Sequence, residues 1–218
     1  MYIHLYQIRM YYTNQLRPNY NRLSDRIYET YLLFAISVFA YLASSQKYTG
    51  NEFAGVSIFA SIIMLLMLVY YDAPIYLFFM AFFMGMSHNY FFHFIGLVEP
   101  YLVSQALGIT GIVFIGLSYF AYNCVNYIDF AVYSMLYSLL SSIIMFSIMN
   151  IFFQSAFFDL VLVVIGINVF SGFIIIDTRN IIDKPYLSPR QIAAHLFLDF
   201  VNMFIKIIKL LKHLKRKN

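Results

Sequence analysis

Lysine and arginine are missing from everything between Lys47 and Arg179. That gap argues against a nucleic-acid binder, which needs cationic side chains arrayed against phosphates. Charge of either sign is scarce: charged residues are 11% of the chain, where a soluble domain carries about 25%. Cysteine is nearly absent. Cys124 alone cannot form an intrachain disulfide, so the redox compartment stays open. There is no glycine repeat, no proline-rich tract and no internal sequence repeat. The start of the chain has no small-residue cleavage site after an apolar stretch, so it does not read as a cleaved signal peptide. No Gly-x-Ser-x-Gly elbow and no His-Glu-x-x-His occurs, which argues against an enzyme. What is abundant is apolar: 62% of 218 residues, with a mean hydropathy of +0.74. This is the composition of an integral membrane protein.

A helix needs about 20 residues to cross hydrocarbon, and six such spans can be read. They lie near Ile27–Gln46, Phe53–Tyr71, Ile75–Val98, Tyr101–Tyr122, Phe130–Phe153 and Phe157–Ile176. Asp72-Ala73-Pro74 and Glu99-Pro100 punctuate them. An open strand cannot satisfy its backbone in lipid, so the fold expected is all-α and polytopic. The expected division is residues 1–26 as a cytoplasmic N-terminal segment, 27–211 as a seven-segment transmembrane bundle and 212–218 as a basic tail.

Basic residues beside short loops set orientation. Arg9, Arg17, Arg22 and Arg26 precede the first span. Arg179, Lys184 and Arg190 follow the sixth. Six crossings put both groups on one side, which predicts a cytoplasmic N-terminus, with Lys47 a minor exception. The last run, Ile192–Leu211, creates a conflict. If it crosses, the terminal lysines end on the far side; if it re-enters or lies at the interface, they do not.

That run carries the most informative residue. Asp199 stands alone as an acid among apolar side chains, and an ionised carboxylate near the middle of a membrane helix costs about 2.5–3.5 kcal/mol on insertion scales. It should therefore face a protein interior or a water path. At about 100° per residue, His195, Asp199, Asn202, Lys206 and Lys209 share one arc. An amphipathic helix lying in the interface would explain the lysines. An inserted helix with snorkelling lysines also explains the depth of Asp199, and is the expected arrangement. Asp177 closes the apolar stretch Phe173–Ile176, where it reads either as a polar cap at the membrane boundary or as a partner for Asp199.

The remaining polar residues read more simply. Asp183 and Lys184 are expected in a solvated loop. Asp25, Glu29, Glu52, Asp72 and Asp129 are expected at boundaries. Asp159 and Glu99 suit interfacial positions or an entrance. His88 and His93 are poorly spaced for a shared metal, and His88-Asn89 is expected to make polar contacts inside the bundle. His195 and Asp199 have i,i+4 spacing but too few companions for zinc.

From Gly172 to Leu211 the sequence resembles the Bax inhibitor-1 family, most closely the branch that gives the family its name. Gly172-Phe-Ile-Ile-Ile-Asp-Thr-Arg-Asn-Ile-Ile-Asp-Lys184 is similar to the family segment in which an apolar helix ends at Asp-Thr. His195-Leu-Phe-Leu-Asp-Phe-Val-Asn-Met-Phe204 is similar to its final Leu-Asp-Phe motif. Gly85, the Pro100 break and Tyr101–Tyr122 agree more loosely, and the basic tail Lys212–Lys217 is similar too. The resemblance implies six helices around a central C-terminal seventh. It implies calcium leak from the endoplasmic reticulum, suppression of cell death, and an aspartate pair acting as a pH-sensitive latch at Asp177 and Asp199. Two departures stand out. Close relatives carry an acid where His195 stands, and some members have an arginine in the second span, where Phe53–Tyr71 has no basic residue.

Two nearby carboxylates in low dielectric resist joint ionisation and titrate as a unit. Sharing one proton, they tie two helices together. Both ionised, they repel and attract a hard cation such as Ca²⁺ as a weak, transient counter-ion. His195 and Asn202 are candidates for pore-lining or tuning roles. The expected function is a pH-sensitive calcium or cation leak in an intracellular membrane, with no resident cofactor. Expected partners are the bilayer, calcium and membrane-bound cell-death regulators. The alternative is a non-conducting regulator acting through protein partners. A secondary transporter is disfavoured by the missing inverted repeat.

Overall fold

The computed structural model describes residues 23–46, 52–99, 101–125 and 128–215. Expectations that rest on residues 1–22, Lys47, Pro100, Arg216 and Lys217 lie outside these. The described residues form seven helices: α1 Leu23–Ser45, α2 Glu52–Tyr71, α3 Pro74–Val98, α4 Leu102–Cys124, α5 Phe130–Phe153, α6 Ala156–Asp183 and α7 Pro189–Lys215. The protein is an all-α membrane bundle.

The first six helices are each long and apolar enough to cross a membrane. Their outer faces present Phe59, Ile112, Ile115 and Phe152, a surface that would aggregate in water but suits hydrocarbon. Helix α7 differs. It falls outside the set of six apolar spans, yet it buries Ile192, Leu196, Phe197, Phe200, Met203, Phe204 and Ile208. Its neighbours are α6, α1 and α4, with slighter contacts to α2 and α3. Helix α5 packs on α6 and stands outside this ring. A polar helix thus occupies the axis because other helices, rather than lipid, cover most of it.

Turns and close approaches fix the arrangement. Asp72 adopts a left-handed conformation at φ 50°, one that a short polar side chain tolerates, and Pro74 starts α3. A Cβ added at Gly85 would meet the backbone oxygen of Tyr41 at 2.2 Å, so only glycine allows α1 and α3 this near. Tyr41 is fully buried there, its hydroxyl 3.2 Å from His88 Nδ1. Asn89 is also buried, so the expected polar contact inside the bundle is present.

Three sequence expectations change. Helix α6 does not end at Ile176; it continues to Asp183. Its polar last turns find partners inside the protein instead of water. Asp177 therefore lies within a helix, and Asp183 is a helical residue paired with Arg179 at 2.9 Å. Helix α1 begins at Leu23, which brings Arg26 inside. Arg26 Nε donates to the carbonyl of Ile181 at 2.7 Å, Nη2 to Lys184 at 2.7 Å and Nη1 to Pro185 at 2.9 Å. One guanidinium thereby satisfies carbonyls that a helix end leaves unpaired.

Helix α7 also crosses the whole bundle. Its start meets Asp72 and Glu29 through Arg190, and its end meets Asp159 and Glu99 through Lys209, His213 and Lys215. Its 27 residues span about 40 Å at 1.5 Å per residue, more than the roughly 30 Å of hydrocarbon. Lys209 to Lys215 therefore emerge at the end opposite Arg26, Arg179, Lys184 and Arg190.

Candidate functional site

Asp177 and Asp199 come together between α6 and α7. Both are buried, at 7% and 8% relative exposure, and the two carboxyl groups are near enough to interact electrostatically. The pair is near one end of the bundle. Asp177 is six residues from the end of α6, or about 9 Å of helix rise.

The two acids have different company. Asp177 Oδ1 accepts from Asn180 Nδ2 at 3.0 Å. Asn180 Oδ1 accepts from the Tyr133 hydroxyl of α5 at 2.8 Å, and Lys184 Nζ lies 4.2 Å from the centre of the Tyr133 ring. The same Asp177 oxygen is 3.6 Å from His195 Nδ1, an ion pair whenever the imidazole is protonated. Asp199 has no comparable support, and its Oδ2 is buried without a hydrogen-bond partner among the described residues. Such an atom lacks about 1–3 kcal/mol of solvation, more when charged. Tyr137 of α5 stands within electrostatic range of both acids.

The residue after Asp177 points elsewhere. Thr178 Oγ1 donates to Ser118 Oγ of α4 at 3.3 Å and is 3.5 Å from the Tyr31 hydroxyl of α1. The Asp-Thr pair thus fastens α6 to three helices at once. Below it, Arg190 pairs with Glu29 and Asp72, and the Ser188 hydroxyl donates to Asp72 while accepting from Gln191 N. Asp72 and Glu29, expected as simple boundary residues, join α1 and the α2–α3 turn to the start of α7.

The polar arc of α7 is divided. Asp199 faces inward. His195 is exposed and touches Asp177 on the adjacent helix. Asn202 is exposed, and its side chain donates to Leu198 O in its own helix, so it does not join the carboxyl pair. Asn180, Tyr133 and Arg26 were missed as site residues. An asparagine three positions after Asp177 was the available signal for the first; nothing in the sequence marked the other two. Among the described residues no group of three or more His, Cys, Asp or Glu side chains is arranged to hold a metal ion. The pair can hold a proton or meet a passing cation.

The sequence profile of the family described as "Inhibitor of apoptosis-promoting Bax1" matches residues 23–217. The chain belongs to this family. An uncharacterized protein of Campylobacter jejuni is 38% identical over 112 residues, covering 51% of this chain and 48% of its own length. Protein lifeguard 4 of Mus musculus is 33% identical over 123 residues, 55% of this chain and 50% of the relative. The matched segments thus span about half the length of these two relatives. Bax inhibitor 1 of Drosophila melanogaster aligns more fully, at 25% identity over 92% of this chain and 91% of its own length. Membership in the Bax inhibitor-1 family and six helices long and apolar enough to cross a membrane make this a polytopic membrane protein of that family. The arginine that some family members carry in their second span has no counterpart in Phe53–Tyr71. His195 and Asn180 contact the pair instead.

Proposed function

We propose that this chain is a pH-sensitive leak for calcium, or cations generally, across an intracellular membrane. The endoplasmic reticulum is the proposed membrane, with the N-terminal end of the bundle on the cytoplasmic side and suppression of cell death as the consequence. The observation that carries the reading is the buried pair Asp177–Asp199, with Asp199 Oδ2 unpartnered. With one shared proton, the pair draws α6 and α7 together. Loss of that proton leaves two negative charges in a poorly solvated place, where they repel and attract a hard cation. Two carboxylates without a cage of carbonyls bind such an ion weakly, which suits permeation better than storage. His195 sets where on the pH scale this occurs, because its protonation places a positive charge beside Asp177.

The test is calcium entry into liposomes holding the purified chain, measured from pH 5 to 8. Asp177→Asn and Asp199→Asn keep the shape of the pair and remove one charge, so each should flatten the pH dependence of flux. Flux curves that overlay wild type would end the latch. Absence of flux in the wild type at every pH would favour the non-conducting regulator, which the printed name of the Drosophila relative also suits.

A further inference from the structure

At the end of the bundle away from the carboxyl pair, α3, α5, α6 and α7 leave a cleft of ≈ 340 Å³. Lys209, Lys212 and His213 line it from one face of α7, at the spacing that makes helical neighbours. One carboxylate, Asp159, shares the cleft, 3.6 Å from Lys209 Nζ and 3.3 Å from His213 Nε2. Lys212 Nζ lies 5.7 Å from the centre of the Phe94 ring and makes no ion pair among the described residues. Two fixed positive charges and an imidazole therefore face a single negative one. Ser155, the N-cap of α6, borders the cleft with the first turn of that helix, whose dipole adds positive potential.

The cleft lies at the α5–α6 corner, where the chain turns back at the edge of the membrane. The same corner exposes Phe152, Phe153 and Phe157, at 80%, 72% and 72%. A cationic recess beside a collar of outward phenyl rings matches a phosphate group carried on acyl chains. We propose that this cleft is a binding site for a phosphate group, supplied by an anionic phospholipid of that leaflet. The phosphate sits among Lys209, Lys212 and His213, competing with Asp159, and the acyl chains lie along the exposed phenyl rings. The site goes beyond the proposed leak and does not require it.

Native mass spectrometry of the full chain released from mixed micelles tests the site. Micelles would contain phosphatidylglycerol, phosphatidylcholine, or inorganic phosphate without anionic lipid. Phosphatidylglycerol should be retained in preference to phosphatidylcholine. Lys212→Gln should weaken that retention about fivefold, as expected for one lysine near an anionic surface, and Lys209→Gln should act in the same direction. Lys184→Gln, at the other end of the bundle, should leave retention unchanged, and thermal melting of each variant confirms the fold. If inorganic phosphate alone is retained and lost with Lys212→Gln, the phosphate chemistry stands and the ligand is soluble. Equal retention of both lipids with no phosphate bound overturns the proposal. So does loss of binding in Lys184→Gln as large as in Lys212→Gln.

Discussion

Helices α6 and α7 run antiparallel and meet at both ends, but the two meetings are built from opposite chemistry. At one end acid faces acid: Asp177 against Asp199, both buried. At the other, acid faces base: Asp159 against Lys209 and His213, with these side chains between 23% and 38% exposed. A solvent-accessible ion pair contributes about 0–1 kcal/mol and changes little when disturbed. In the proposed latch, a buried like-charged pair is held by one proton, whose loss would turn attraction into repulsion. The same two helices therefore have a steady end and a conditional end, and motion is expected at the conditional one.

The largest effect should come from Arg26. It is buried and holds three carbonyls at the conditional end; its removal takes this donor from Ile181 and Pro185, while Lys184 O keeps the N–H of Leu187. Arg26→Ala should lower stability by about 1–3 kcal/mol for each carbonyl left unpaired, read as a fall in the denaturation midpoint in detergent. A loss under 1 kcal/mol would mean that water replaces the guanidinium, and that this end is wetter than its burial suggests.

Asp199→Leu comes next. It replaces a buried carboxyl whose Oδ2 has no hydrogen-bond partner among the described residues with an apolar group of similar size, and so removes an unsatisfied atom that costs about 1–3 kcal/mol. The variant should be at least as stable as wild type in thermal unfolding, with flux that no longer varies with pH. Destabilisation would show that Asp199 is a structural hydrogen-bonding group and would remove the contrast between the ends.

His195→Gln keeps a polar side chain near Asp177 without a titrating charge, so it should move the midpoint of the flux–pH curve while leaving stability near wild type. His195→Asp adds a third acid and should strengthen calcium dependence. If neither curve moves, the 3.6 Å approach to Asp177 is packing. The smallest change is expected from Asp159→Asn: no more than about 1 kcal/mol of stability and an unchanged flux–pH midpoint. A shifted midpoint would show that the ends are coupled.

Much of this contrast can be read in the chain itself, because carboxylates are rare in apolar segments and Asp199 stands alone in its run. The six spans follow from hydropathy, since lipid imposes length. Where protein replaces lipid as the surroundings, the reading fails. Asp177 to Asn180 is polar enough to suggest an exit from the membrane, yet α1, α4, α5 and α7 supply partners that keep the helix going to Asp183. The helical wheel puts His195, Asp199 and Asn202 on one arc, but a wheel holds no information about where neighbouring helices stand, and of the three only Asp199 is buried. Arg26 looks like one more juxtamembrane cation; its burial depends on carbonyls more than 150 positions away in the chain.

The axial position of α7 has a consequence for how the protein is made. A ribosome delivers this helix after the six described helices that are long and apolar enough to cross a membrane. Until it arrives, Asp177 lacks the helix that covers it. Helix α7 falls outside that set of six, and its contacts with α6, α1 and α4 are what hold it on the axis. Chains halted before Pro189 would consequently be recognised as unfinished by membrane quality control rather than persist as a smaller, stable protein.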